Sequence, residues 1–214
     1  MILPKLVYKI QNLLGSHDTE RFSSACANPD RWMDHANNLN YNPEFNICKP
    51  NETEYDLQKQ IVTFQFMFPG TPYIFYGDEV GMWGADDPDT RKPMIWSEFE
   101  YENEKIDPFG NIRKTDRVSV NQDLFTNYQS LIQLRKKYIA LRQGDYELLY
   151  AKNKIFAFSR KHKKEQIISI FNASNFHQEF SIDLLNLGSE SPSILLLGSQ
   201  DGLPPHSYSI YEIK

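Results

Sequence analysis

Cysteine is scarce. Cys26 and Cys48 are the two in 214 residues; they lack the spacing of a metal site, and two reduced thiols make no disulfide scaffold. Long apolar runs are missing too. No stretch approaches the ~20 residues that cross a bilayer, and Met1-Ile2-Leu3-Pro4-Lys5 lacks the charged-then-apolar order of a secretory signal. No membrane partner is therefore expected; the compartment stays open, with the cytoplasm ranked before the periplasm or the outside of the cell. Basic charge is not in excess: Lys and Arg total 23 against 28 Asp and Glu, a net charge of −5. The basic residues are scattered, so the electrostatic footprint of a nucleic-acid binder is absent and neutral or polar partners fit better.

What is present suffices for a core. A hydrophobic content of 40% over this length supports one large domain or two small ones. Aromatic residues make up 14%; carbohydrate sites use aromatic faces, but cores consume most aromatics. Residues 3–10 read as the end of a helix leading into a strand at 11–14. From Phe22 to Thr53 the chain is rich in Asn, Pro and Asp without a sustained period, which reads as a long loop with one short helix. Leu57, Ile61, Phe64 and Phe68 then recur at helical spacing. Asn51 or Thr53 can cap this helix and Pro69-Gly70 ends it. A strand at 73–76 completes a βαβ unit, whose strands are expected to be parallel. Residues 97–121 read as a charged, solvated loop. A second helical face comprises Leu124, Tyr128, Leu131, Tyr138 and Leu141, with Gly144 where a left-handed C-cap glycine would stand. Beyond Gly144 the period becomes alternating, with strands expected at 146–151, 155–160, 166–172, 178–182, 193–197 and 207–213. Regularly spaced short strands argue for a small antiparallel domain.

Two stretches carry the chemistry. In Asn12-Leu13-Leu14-Gly15-Ser16-His17-Asp18-Thr19-Glu20-Arg21 a short apolar run ends at a small-residue turn and releases a histidine and charges. In parallel α/β architectures the ends of strands are where reacting side chains sit. A helix N-cap by Ser16, Asp18 or Thr19 is the plainer explanation of that string alone. The second stretch repeats the pattern of strand, glycine and carboxylates: Pro69-Gly70-Thr71-Pro72-Tyr73-Ile74-Phe75-Tyr76-Gly77-Asp78-Glu79-Val80-Gly81-Met82, then Asp86-Asp87-Pro88-Asp89-Thr90-Arg91-Lys92-Pro93-Met94-Ile95-Trp96.

Together and in this order, the two stretches resemble the α-amylase family of glycoside hydrolases, within it the neopullulanase, cyclomaltodextrinase and maltogenic amylase group. Gly15 to Arg21 is similar to the last of that family's active-site segments, and Pro69 to Trp96 to its eighth barrel strand with the loop after it. The resemblance implies an α/β fold: the C-terminal part of a (β/α)8 TIM barrel over residues 1–144, then a small antiparallel β-sandwich over 145–214. It implies that Asp18 is the catalytic transition-state stabiliser and that His17, Asp87 and Arg91 bind substrate, an α-glucan with α-1,4 or also α-1,6 bonds. Asp78 and Glu79 read as strand-end carboxylates that hold the loop, and Glu20 and Arg21 as an ion pair that orients the His17-Asp18 turn. No metal ligand and no cofactor follow for these residues; the resemblance leaves room for a structural calcium in a full-length protein.

One departure matters. Retaining glycosidases need a nucleophilic carboxylate and an acid about 5–5.5 Å apart. The family's segments for these two groups precede the last one, and neither occurs before Asn12. The chain therefore resembles the C-terminal fragment of a longer hydrolase, expected to be inactive alone and either to pair an exposed barrel edge with another copy as a homo-oligomer, to rearrange, or to stay partly disordered before Thr71. A non-catalytic remnant or module that binds glucan or a partner subunit is the other reading.

Overall fold

The computed structural model describes residues 6–29, 37–185 and 193–214. A 3₁₀ turn, Val7–Lys9, leads into strand β1 (Gln11–Leu13); no longer helix is seen among the described residues there. Helices α1 (Phe22–Ala27) and α2 (Glu52–Met67) follow, then strand β2 (Thr71–Tyr73), which pairs with β1 in a two-stranded sheet. Strands β3 (Glu104–Ile106) and β4 (Ile112–Asp116) form an antiparallel hairpin. Helices α3 (Gln122–Lys137) and α4 (Ile139–Gln143) precede β5 (Asp145–Lys152), β6 (Ile155–His162), β7 (Glu165–Asn172), β8 (Ser193–Gly198) and β9 (Ser207–Ile213). The described residues fall into two compact units, one from within Met1–Asn12 with Lys59–Pro72 and Ser130–Lys214, the other Leu13–Gln58 with Tyr73–Gln129. The expected division at 144 follows the change from α4 to β5. The compact units cut across it.

In the first unit the last five strands form one antiparallel sheet in the order β5-β6-β7-β9-β8. Alternation assigns its faces. Ile155, Ala157, Ile168, Ile170 and Ile213 form one buried cluster with Leu203, each fully buried aliphatic being worth about 1.5–3 kcal/mol. On the other face Phe64 of α2 packs edge-on against Phe158 and Phe171, with ring centroids 5.8 and 5.6 Å apart. The hairpin turn between β5 and β6 is Asn153-Lys154, both at positive φ, the two-residue geometry that matches strand twist.

Several expectations are corrected. The second sheet of a sandwich is not seen among the described residues. Residues 178–182, expected as a strand, make only an isolated bridge from Gln178 to Leu203, and Phe180 and Ile182 pack onto the existing sheet as cover. Gly144 is extended, with φ −73° and ψ 147°, not left-handed. It is glycine because a Cβ would lie 2.4 Å from the Ala140 carbonyl oxygen. Its own carbonyl accepts from Nε and Nη2 of the fully buried Arg160, whose Nη1 donates to Met67 O at 2.8 Å.

Helix α2 also departs from its expected single face. Leu57, Ile61, Phe64 and Phe68 are only half-buried, whereas Gln58, Gln60 and Gln65 are buried. Buried amides need partners. In the first unit Gln60 donates to the carbonyls of Asn172 and Ser207 at 2.6 and 2.8 Å, and Gln65 to Asn12 O at 2.6 Å. In the second, Gln58 donates to Asp78 O at 3.1 Å and accepts from Ser23 Oγ at 2.8 Å. The N-terminus of α2 is closed by a reciprocal box in which Asn51 Oδ1 accepts from Glu54 N and Glu54 accepts from Asn51 N. The α3–α4 positions Leu124, Tyr128, Leu131, Tyr138 and Leu141 are all buried, as their spacing predicts.

The charged region 97–121 is not wholly a loop. The β3–β4 hairpin sits in it, turned by Asp107, whose carboxylate accepts from the amides of Phe109 and Asn111.

Candidate functional site

After β1 the backbone enters a turn tied by its own short polar side chains. Ser16 N donates to Thr19 Oγ1 at 3.1 Å and Asp18 N to Ser16 Oγ at 3.2 Å. Helix α1 starts later, with Arg21 at its N-cap and no side-chain cap. Ser16, Asp18 and Thr19 are therefore not capping groups; the turn instead lifts His17 and Asp18 into solvent, with side chains 63% and 69% exposed. His17 Nε2 lies 3.2 Å from Asp18 Oδ2.

The loop after β2 returns to the same place. Arg91 closes a 3₁₀ turn, Asp89–Arg91, and its guanidinium is shared. Nε lies 2.8 Å from Asp87 Oδ1 and donates to His17 O at 3.1 Å, while Nη2 reaches Asp18 Oδ1 at 3.3 Å. All four residues singled out from the sequence thus meet in one patch. Exposed ion pairs are worth about 0.2–1 kcal/mol, so polar groups of a ligand can replace them at small cost. A fork held between two carboxylates keeps its remaining N–H groups in one plane.

Beneath the turn lies a second pair. Arg21 is fully buried, its guanidinium 4.4 Å from the ring centroids of both Phe75 and Tyr76. Nη1 donates to Tyr76 O and stands 3.7 Å from Asp78 Oδ1. The expected Glu20–Arg21 pair does not form: Glu20 accepts from Asn37 Nδ2 at 2.6 Å. Burial pushes the Asp78 carboxyl up to about 7, against the opposing pull of Arg21 and with a further push from Glu79. Glu79 accepts from Gly77 N at 2.8 Å and so holds the loop. The Cys26 thiol is pushed up to about 12, first by burial and then by Asp78 and Glu54, which leaves it unreactive.

A ladder of alternating charges backs the Asp87–Arg91 loop. Lys92 Nζ is 3.1 Å from Asp89 and 3.0 Å from Glu104, and Arg113 bridges Glu104 at 2.8 Å and Asp116 at 2.6 Å. Trp83 Nε1 donates to Glu104 as well. Sequence reasoning missed this ladder because Glu104, which joins its two i,i+3 pairs, lies on a hairpin that was read as a loop. The described residues hold no group of three or more His, Cys, Asp or Glu able to bind a metal ion. Asp18 and Asp87 face a guanidinium rather than each other, so the patch does not fit calcium.

With this geometry in place, the sequence profile of the α-amylase catalytic domain matches residues 5–144. The chain belongs to the α-amylase family. This α-amylase family chain is 35% identical over 164 residues to a cyclomaltodextrinase of Thermoanaerobacter pseudethanolicus, covering 77% of the chain and 21% of that protein. It is 33% identical to neopullulanase 2 of Thermoactinomyces vulgaris over 163 residues, covering 75% and 20%. An α-amylase of Anoxybacillus superposes with a TM-score of 0.66 at 25% identity, covering 96% of this chain and 38% of that one. A debranching enzyme of Nostoc punctiforme, soaked with acarbose, gives 0.61 at 25%, covering 98% and 34%. The α-amylase family chain thus spans about a fifth of the length of these curated relatives.

Proposed function

We propose that the chain supplies the sugar-binding end of a retaining α-glucan hydrolase centre acting on α-1,4 bonds, with α-1,6 bonds as a further candidate. Residues 1–144 serve as the last part of a (β/α)8 barrel, with β1, α2 and β2 as one strand-helix-strand step, and 145–214 as a C-terminal β-domain. The extent of the family match and the start of the antiparallel sheet at Asp145 support that division. The observation that carries the functional reading is the exposed His17–Asp18 pair joined through Arg91 to Asp87.

In this reading an ionised Asp18 accepts from vicinal hydroxyls of the reacting ring. Its charge counts for more against the positive charge of an oxocarbenium-like transition state than against the ground state. His17 donates to the same ring. Asp87 holds Arg91 so that its outward N–H groups meet the next glucose on the non-reducing side. The nucleophilic and acidic carboxylates that retention requires come from a segment outside these 214 residues. The ligand is therefore a neutral α-glucan, and the chain alone turns none over.

The test uses maltooligosaccharides, cyclodextrins and pullulan. The 214-residue chain is expected to hydrolyse none of them, while a longer polypeptide that carries it with an Asp and a Glu segment upstream cleaves at least one. Asp18→Asn in that polypeptide should lower kcat far more than it raises KM. Turnover by the short chain, or a loss confined to KM, overturns the reading.

A further inference from the structure

The turn that presents His17 and Asp18 is seated at both ends on one buried group. At its start, a Cβ added to Gly15 would lie 3.0 Å from Asp78 Oδ2. At its end, Arg21 Nη1 stands 3.7 Å from Asp78 Oδ1. Asp78 is itself fixed. Its amide donates to Phe75 O at 3.1 Å and its carbonyl accepts from Gln58. Arg21 is clamped between Phe75 and Tyr76, and its amide donates to Gly84 O at 3.0 Å. Nε and Nη2 of Arg21 find no hydrogen-bond partner among the described residues, so this guanidinium is held by its stacking and its Nη1 edge.

We infer that Gly15, Arg21 and Asp78 are positioning residues: the Asp78 carboxylate spans the turn and sets where Asp18 stands, with Gly15 required so that the backbone can close onto it. The inference rests on the functional reading above for its catalytic consequence, but not for its geometry. A misplacement of about 1 Å can cost on the order of 100-fold in rate. Because Asp18 is read as acting on the transition state, the loss should appear in kcat.

Gly15→Ala is the sharpest probe. Gly15 does not occupy the left-handed region, and the nearest atom apart from the Asp78 side chain is Phe22 Cβ at an ordinary 3.8 Å, so the added methyl strains only the seat on Asp78. In the longer polypeptide this variant is expected to lose about 10-fold or more in kcat with KM within about twofold and Tm nearly unchanged. Asp78→Asn, which keeps the volume, should show the same split and serves if Gly15→Ala does not fold. A folded variant with wild-type kcat, or one in which KM alone changes, overturns the inference.

If the wild-type polypeptide shows no turnover, the functional reading fails and the geometric one is decided on the 214-residue chain by amide relaxation. There the heteronuclear NOE of His17 and Asp18 should fall in Gly15→Ala and in Asp78→Asn. Unchanged values in both variants overturn it.

Discussion

Asp78 should make the protein more stable in mild acid, the reverse of the usual behaviour of a carboxylate in an ion pair. Its carboxyl is raised from 3.8 to about 7, chiefly by burial. A folded-state value above the unfolded one means that the folded protein binds the proton more tightly, so this group's contribution is complete below 3.8 and is lost as pH rises through about 7. Between about pH 5.5 and about pH 8 the loss comes to roughly 2 kcal/mol. The perturbation is therefore pH alone, with Asp78→Asn as the reference that cannot titrate. That variant stands in for the protonated carboxyl, so near pH 5.5, where Asp78 is mostly protonated, its stability should be close to that of wild type. Its pH dependence should be the flatter one. Urea unfolding followed by tryptophan fluorescence, to which Trp83 of the same compact unit contributes, gives the midpoints. Wild type should lose roughly 2 kcal/mol more than Asp78→Asn between the two pH values. Parallel losses would refute the argument, since they would show that burial does not govern this carboxyl.

Two further outcomes follow from named contacts. Arg91→Ala in the longer polypeptide should weaken affinity for oligosaccharides by about 1–2 kcal/mol and leave a short substrate almost untouched, as steady-state KM values for the two would report; equal losses would make Arg91 a loop brace. Arg160→Leu removes a buried guanidinium and its three hydrogen bonds to the Gly144 and Met67 carbonyls, leaving two acceptors without that donor, and should cost on the order of 2–4 kcal/mol by urea titration.

What could be read in advance divides along the range of the interactions involved. The α3–α4 face from Leu124 to Leu141 was legible because a helix repeats its buried face every few residues, and Ser207–Ile213 because polar and apolar residues alternate at its start, although the burial itself falls on Ser209, Ile210 and Ile213. The β3–β4 hairpin was not. Glu104, Lys105, Arg113 and Lys114 carry no apolar alternation, and what holds the pair together is the Asp107 turn and a charge ladder that runs across it. The buried glutamines of α2 escaped for a related reason: a polar side chain at helical spacing looks solvated until its carbonyl partners arrive from elsewhere in the chain. At the candidate site, sequence adjacency suggested Glu20 as the partner of Arg21, whereas burial brings Asp78 there. That His17 and Asp18 share a patch with Asp87 and Arg91 followed from the family resemblance; spacing alone offered two separate pairs.

The charge ladder behind Arg91 has an uneven grammar. Each of its cations, Lys92 and Arg113, is flanked by two anions, and Glu104 is the one anion that touches both. Loss of an end member leaves every remaining charge with a neighbour, whereas loss of Glu104 splits the row into two fragments and strips the Trp83 indole of its acceptor. Asp89 and Asp116 answer to more than the row, since their carboxylates also accept from the amides of Ala85 and Lys49. Because Lys92 adjoins Arg91, changes on a hairpin that carries none of the four candidate site residues can still alter where the Arg91 guanidinium points, giving selection a handle on the patch from outside it.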